Sequence, residues 1–489
     1  MTSRLGCKGQ GLVWLAENSD IGYTVPEFEV IDSSYYEELL KQQKLAQLSS
    51  LLHNIVNPED NFVGRWNIPA RLEEKCRALS KQFRGREIAV RSSALLSEDS
   101  DKFSGAGIYN TVFLKGNSVF TKNLLEAVLE VYASVHSDEA VKYREKAAIQ
   151  DEKMAVVIQE AVEGDNGVAM SRLPAREGVI PIWWSYDRGA AVQGSKGSKK
   201  DNINAVFYHI DKGGKGIGRY RMIFMKENMP LDMEEELLEE SLLPLIEKLR
   251  KRYGRDFELE FTIDFEDVCG KKYTKKPSAL DEKIHLLQIR PLTNVQNKKI
   301  KFPDKKPIFE SRFCMGAGEY IGKWVTPQQI YASLNSGGEW NEPENYAYVA
   351  AVLEKLNPSS FSFLKTFSSY DKTKKYDHLD YDEFTPNKKA IVITDKCGCG
   401  IHALTIANER NILCLAGNKF RRDDEGDKHH KHNIAVMGTF IGLDVAKPPH
   451  FNIPLEEVGP YIHIVADGLD GRVYRATEQE AREFAEKLK

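Results

Sequence analysis

Short apolar runs bounded by turn residues predict strands at residues 25–31, 88–93, 154–158, 258–264 and 284–290. Apolar positions recurring every three or four residues predict helices at 12–16, 35–53, 124–146 and 234–251. The third of these offers Leu125, Val128, Leu129 and Tyr132 to a core, and the fourth Leu237, Leu238, Leu242, Leu245 and Leu249. In the strand at 258–264, period two puts Glu258, Glu260, Thr262 and Asp264 on one face and Leu259, Phe261 and Ile263 on the other. The same rule puts Leu286, Gln288 and Arg290 together on the strand at 284–290, with the Lys-rich stretch between the two strands as a loop.

Such a pair of strands brings carboxylates and an amide oxygen together, and hard oxygen ligands of this kind suit Mg²⁺ carrying nucleotide phosphates. A solvated outer sheet face is the alternative for the same pattern. Arg290-Pro291 at the strand end and the lack of lysine on either polar face speak against it. Upstream, Gly6-Cys7-Lys8-Gly9-Gln10-Gly11 reads as a loop before the helix at 12–16, able to set backbone N–H groups and a lysine beside phosphate.

Residues 297–307 are rich in Lys and Pro and read as a linker. A polar, aromatic stretch at 335–382 has no clear period and reads as an insertion. The last part alternates again, with strands at 389–394, 412–415 and 462–466, a tight turn at Cys397-Gly398-Cys399-Gly400, a helix start at 401–409 and a terminal hairpin through Gly468 and Gly471. The fold class is α/β (α+β). With 489 residues, two domains are expected: 1–297 and 309–489, joined by a linker at 298–308, with an insertion around 335–385 in the second.

Composition narrows the class without adding chemistry. Hydrophobic residues make up 42% and charged residues 29%, as in soluble globular proteins. Lys plus Arg is 68 against 72 Asp plus Glu, a net charge of -4, which gives no footprint for nucleic acid or an acidic membrane. The seven cysteines have no framework spacing, the first residues do not form a signal peptide, and no run approaches a membrane span. These features lead us to expect a cytoplasmic protein with reduced thiols. The charged segment 418–432 contains His429, His430 and His432, whose spacing is poor for a tetrahedral metal site and suits a surface loop.

His402 follows the glycine-rich turn and opens a helix, where free N–H groups favour an anion such as a phosphoryl group. A neutral imidazole there is a competent nucleophile. Position alone favours a helix-capping or core histidine.

The motifs taken together, in order, decide the reading. Gly6 to Gly11, then Val90-Arg91-Ser92-Ser93-Ala94 with Glu98-Asp99 and Phe103-Ser104-Gly105, then Tyr132-Ala133-Ser134 with Tyr143-Arg144, resemble successive segments of one family. So do Met154 to Gln159 with Gly167-Val168-Ala169, Glu258 to Asp264, and Leu287-Gln288-Ile289-Arg290-Pro291-Leu292. The family is the phosphoenolpyruvate synthase and pyruvate phosphate dikinase group, which includes glucan water dikinases and rifampicin phosphotransferases. Gly398-Cys399-Gly400-Ile401-His402-Ala403-Leu404 resembles its phosphohistidine segment, with Gly400 and Ile401 standing where hydroxyl or thiol residues are usual.

The resemblance implies an ATP-grasp domain followed by a swivelling β/β/α phosphohistidine domain. It implies that Lys8 and Arg91 contact ATP phosphates, that Gln159 lies near the adenine, that Glu260 and Gln288 hold Mg²⁺ and that Arg290 stabilises the transferring charge. It implies that His402 carries the phosphoryl group, with AMP, orthophosphate and a phosphorylated acceptor as products. The family's pyruvate-binding barrel is expected to be absent, because the sequence leaves no room for it after Tyr474. The acceptor is then a small molecule of unspecified identity. Two alternatives stay open: a phosphohistidine-carrying subunit that needs a partner chain, and a non-catalytic ATP-binding protein.

Overall fold

We describe a computed structural model, which covers residues 4–42, 67–99, 108–116, 121–146, 148–174, 176–185, 203–210, 216–223, 238–263, 284–292, 300–311, 314–315, 317–325, 346–349, 351–352, 391–394, 413–416, 443–444, 459–468 and 470–488. In chain order the first elements are α1 (Gly6–Glu17), β1 (Phe28–Ile31), α2 (Ser33–Gln42), α3 (Ala70–Gln82), β2 (Ile88–Ala94), β3 (Thr111–Leu114), α4 (Thr121–Ser134), α5 (Asp138–Lys146) and β4 (Met154–Glu160). Then come β5 (Asp165–Met170), β6 (Val179–Ser185), β7 (Ile203–Ile210), β8 (Gly216–Ile223), α6 (Leu243–Tyr253), β9 (Phe257–Ile263) and β10 (Ile284–Pro291). The remainder is β11 (Phe309–Ser311), β12 (Cys314–Met315), β13 (Ala317–Val325), β14 (Tyr346–Val349), β15 (Ala351–Val352), β16 (Ile391–Thr394), β17 (Leu413–Ala416), β18 (Leu443–Asp444), β19 (Tyr461–Asp467), β20 (Gly471–Arg475) and α7 (Glu478–Leu488).

One compact unit comprises Met1–Asp165 and Pro230–Thr293. Its four-stranded sheet has the order β1-β4-β2-β3, antiparallel throughout. Alternation sorts β2 cleanly. Ile88, Val90 and Ala94, with Met154, Val156 and Ile158 of β4, join Tyr36, Leu39, Leu72, Cys76, Leu79, Leu124, Val128 and Tyr132 in one core. Ala89, Arg91 and Ser93 are left for the other face, opposite Gln159, Val157 and Ala155. Helices α2, α3 and α4 thus cover one side of the sheet, and its opposite side, with Arg91, Ser93 and Gln159, faces α1 and β10.

Two expected elements differ in outline. The helix expected at 124–146 is two helices, because Ser137 interrupts it and caps the second: its Oγ accepts the Ala140 N–H at 3.2 Å. The loop expected at 6–11 is the first turn of α1, whose small residues let it lie close to β2 and β10. Leu238–Leu242 forms a π-helical turn before α6, which begins with Pro244 in its first turn, where a missing N–H costs nothing.

At the end of α4, His136 is packed beside Tyr36, whose hydroxyl lies 2.8 Å from its Nε2. Burial, helped by the Arg144 charge, pushes the imidazole pKa down to about 4. The folded chain therefore holds this ring neutral while the unfolded chain protonates it. This contribution to stability is complete above pH 6.5 and is lost as pH falls from there to about 4, at about 1.4 kcal/mol per unit. Urea unfolding at pH 7 and pH 5.5 is expected to show a drop of about 1 kcal/mol that His136→Asn removes.

The second unit comprises Asn166–Met229 and Asn294–Lys489. It contains an antiparallel run through β6, β7 and β8 and an eight-stranded mixed sheet of order β11-β20-β19-β13-β14-β16-β17-β12. The expected strands near 389–394, 412–415 and 462–466 are β16, β17 and β19, and β19 and β20 pair as the expected hairpin. Arg176 grips its turn, donating to Asp467 and Asp470 at 3.2 and 3.0 Å. Helix α7, not expected from spacing, starts with a capping box: Thr477 Oγ1 accepts the Glu480 N–H, and Glu480 Oε2 accepts the Thr477 N–H. Asp264, the 397–400 turn, His402 and segment 418–432 lie outside the described residues. Among the described residues no helix is long and apolar enough to cross a membrane.

Candidate functional site

The site is built from one end of α1, the polar face of β2, and the pair β9–β10. In the first half of β10, Ile284 and Leu286 stand opposite Ile263 and Phe261, on the apolar side of β9. A β-bulge follows between Leu286 and Gln288. Beyond it Gln288 stands opposite Glu260 and Arg290 opposite Glu258, on the polar side. Directly opposed residues in an antiparallel pair share a face. The expectation that Leu286 lies with Gln288 and Arg290 is therefore corrected: the extra residue, Leu287, shifts the alternation by one. The shift lets β10 fill the core with one half and furnish the site with the other.

The bulge also turns a backbone acceptor inward. The Leu287 carbonyl receives Arg91 Nη1 at 3.2 Å and Gln159 Nε2 at 3.3 Å. Arg91 Nη1 donates as well to Gln159 Oε1 at 3.0 Å, while its Nη2 donates to Gln288 Oε1 at 2.8 Å and to Glu260 Oε2. One guanidinium thus ties β2, β4, β9 and β10 together. Its rigid fork of donors is what allows four acceptors at once.

Lys8 is buried on α1. Its Nζ donates to the Ser92 carbonyl at 3.0 Å and to Glu98 Oε1 at 2.7 Å, and lies 3.4 Å from Asp99 Oδ2. Ser93 fixes this end of the helix, its Oγ accepting the Gly9 N–H at 3.0 Å and donating to the Leu5 carbonyl at 2.9 Å. Arg290 donates to Asp99 Oδ1 at 3.0 Å and pairs with Glu258. Behind the turn carrying Glu98 and Asp99, Glu152 accepts three successive N–H groups, those of Leu95, Leu96 and Ser97, at 2.9, 3.0 and 2.7 Å.

The charges sort by which force wins. Burial works to raise the Glu260 carboxyl, yet Arg91, Lys8 and Arg290 together hold it below the usual range. Asp99 follows the same logic, burial being outweighed by Lys8 and Arg290. For Glu98 and Glu258 burial prevails over the neighbouring cation and the carboxyl is pushed up. Lys8 is raised: burial opposes its charge, but Glu98 and Asp99 overcome that. Arg290 is likewise held charged, against burial, by Glu258, Asp99 and Glu260.

The structure therefore brings together Lys8, Arg91, Gln159, Glu260, Gln288 and Arg290, six positions expected from sequence to serve one ligand. Over residues 2–307 the sequence matches the family described as pyruvate phosphate dikinase, AMP/ATP-binding domain. The chain belongs to this family. One relative is an uncharacterized phosphotransferase, YvkC, of Bacillus subtilis (strain 168), 27% identical over 324 residues that make up 63% of this chain and 35% of that protein. Another is the phosphoenolpyruvate synthase of Neisseria meningitidis serogroup B, 25% identical over 366 residues, 68% of this chain and 40% of that protein. The chain thus matches well under half the length of either relative. Among solved structures, a C-terminally truncated Cdc123 from Schizosaccharomyces pombe aligns at 12% identity over 58% of this chain and 83% of its own, with a TM-score of 0.26, too low to bear on fold.

Four further carboxylates of this dikinase-family domain had no individual role in the sequence: Glu98 and Asp99 stood only within a family motif, Glu258 only on the carboxylate face of its strand, and Glu152 not at all. Glu98 and Asp99 hold Lys8, Asp99 and Glu258 hold Arg290, and Glu152 holds the turn. A signal was present for the first two: adjacent acids a few residues beyond Arg91, in a chain segment bordered by apolar positions. Glu152 carries no such signal, since its role comes from three backbone groups distant in sequence.

Proposed function

We propose that the chain is an ATP-dependent phosphotransferase that passes a phosphoryl group through His402 to a small-molecule acceptor. The observation that supports this best is the convergence of three cationic heads, Lys8, Arg91 and Arg290, with the facing oxygens of Glu260 and Gln288, in an AMP/ATP-binding domain. Cations fixed before the reaction stabilise charge on phosphoryl oxygens without reorganising, which is the main requirement of such transfers.

Glu260 and Gln288 also fit a magnesium ion. They oppose one another across β9 and β10, and both already offer an oxygen to a single cationic nitrogen, Arg91 Nη2. Among the described residues no group of three or more His, Cys, Asp or Glu could hold a metal independently. Mg²⁺ at nucleotide sites usually takes one or two protein carboxylates, with phosphate oxygens and waters completing its octahedron, and Glu260 supplies one such carboxylate with the Gln288 amide oxygen beside it. Bound there, it would neutralise charge on the transferring phosphates.

In the proposed sequence a neutral His402 ring nitrogen attacks the β-phosphorus and the bond to the α-phosphoryl oxygen breaks, releasing AMP. Water then removes the terminal phosphoryl group as orthophosphate, and the remaining one moves from His402 to the acceptor. Lys8 and Arg91 hold the phosphates, Arg290 balances the transferring charge, and Gln159 keeps Arg91 oriented while lying toward the adenine.

The test is incubation of the purified chain with Mg-ATP labelled at the β-phosphorus. Acid-labile label on the protein and AMP in solution are expected, and His402→Ala is expected to lose the label. ADP as the sole product, or full labelling of the alanine variant, would show that the mechanism is wrong.

A further inference from the structure

Two neighbouring carboxylates meet Lys8, and they are held very differently. Glu98 is fully engaged. Its Oε1 accepts from Lys8 at 2.7 Å and from Ser92 Oγ at 2.9 Å, and its Oε2 accepts the Ala94 N–H at 3.1 Å. Asp99 lies between two cations, with Oδ1 3.0 Å from Arg290 Nη1 and Oδ2 3.4 Å from Lys8 Nζ. Although buried, that Oδ2 makes no hydrogen bond. Its backbone is left-handed, φ 51°, one of two such non-glycine residues among those described. A conformation of this kind costs on the order of 1 kcal/mol and persists where surrounding contacts impose it.

An anion with an unsatisfied oxygen, on a strained backbone, between two cations assigned to phosphate, has the position and charge of a phosphoryl group. We propose that Asp99 is a placeholder for phosphate: it neutralises Lys8 and Arg290 in the nucleotide-free chain and gives them up when ATP binds. It returns as products leave. Its carboxyl, held below the usual range by those same cations, stays ionised through neutral pH and so competes as a full charge. Glu98, with three donors, stays in place and keeps Lys8 aimed. Asp99 is therefore a positioning residue that sets how tightly nucleotide is held. This inference rests on the assignment of Lys8 and Arg290 to the ATP phosphates.

The experiment measures ATP binding to the full chain by calorimetry, without Mg²⁺, and turnover as AMP formed. Asn tolerates a left-handed backbone, so Asp99→Asn removes the charge with little disturbance. Roughly tenfold tighter ATP binding is expected, since one negative charge is withdrawn from the phosphate site. A lower kcat with kcat/KM retained is expected alongside it, because products then leave slowly. Asp99→Gly, which also relieves the backbone, is expected to tighten binding in the same direction and serves if the Asn variant folds poorly. A merely structural role would weaken binding in both variants. Lys8→Met tests the underlying assignment and is expected to weaken ATP. Weakening by Lys8→Met with equal or weaker binding in both Asp99 variants overturns the placeholder alone. Unchanged affinity in Lys8→Met overturns the site assignment and the placeholder with it.

Discussion

Replacing Arg91 with methionine is expected to lower AMP formation by a factor of a thousand or more and to destabilise the first unit by about 3–5 kcal/mol. The two losses have separate causes. Arg91 is the cation shared by β2, β4, β9 and β10, and under the proposed function its removal takes a fixed positive charge from the phosphate site. It also leaves Glu260, only 12% exposed, without its nearest counter-charge, and the Leu287 carbonyl without one of its donors. Burial then acts on the Glu260 carboxyl against fewer cations, so its titration moves up. Arg91→Lys retains the charge but cannot reach four acceptors, and is expected to recover more stability than rate. Initial rates of AMP release and urea midpoints, measured on both variants, separate the contributions. A methionine variant with near-native turnover would remove Arg91 from the chemistry.

The second large effect is expected at Gly6. Its φ is +69°, and a Cβ added there would lie 2.1 Å from the Ser93 carbonyl oxygen. Gly6→Ala therefore adds backbone strain of about 1–2 kcal/mol to a collision that no side-chain rotation relieves. Overpacking of this sort costs about 1–3 kcal/mol more. The start of α1 must move away from β2, Ser93 loses its hold on Gly9 and Leu5, and Lys8 moves with the helix. The expected result is a total loss of about 2–5 kcal/mol with weaker ATP binding. Gly254→Ala is the matched control: its φ is +75°, but nothing lies within 4 Å of an added Cβ. It is expected to show the strain alone and leave ATP binding unchanged. Equal losses in the two variants would mean that the approach to Ser93 does not matter.

Much of this site is legible in local pattern. Glu258 to Ile263 alternates regularly, so the faces of β9 follow from a period of two, whereas Ile88 to Ser93, three apolar residues and then three polar ones, marks β2 as a strand without showing which side chains share a face. The order of the motifs, from Lys8 to Arg290, pointed to one ligand. The register of β10 was not legible, because a bulge is set by the partner strand and by Arg91 and Gln159, which lie more than a hundred residues away. The helix at Gly6 was hidden for a similar reason. Glycines signal a turn locally, and only the nearness of β2 explains why they open a helix instead. Helix α7 was masked by its charge, since its capping box at Thr477 and Glu480 says more about where it starts than its apolar spacing does.

The bulge at Leu287 makes β10 sensitive to parity. Substitutions along this strand change one contact at a time, whereas gaining or losing one residue between Leu286 and Gln288 exchanges inside for outside over everything that follows. Gln288 and Arg290 would then point where Ile289 does, and Ile289 into the charged face. Within this short stretch, the length of the strand is a heritable trait distinct from its composition. Recombination between relatives can trade side chains here freely only if it conserves the count.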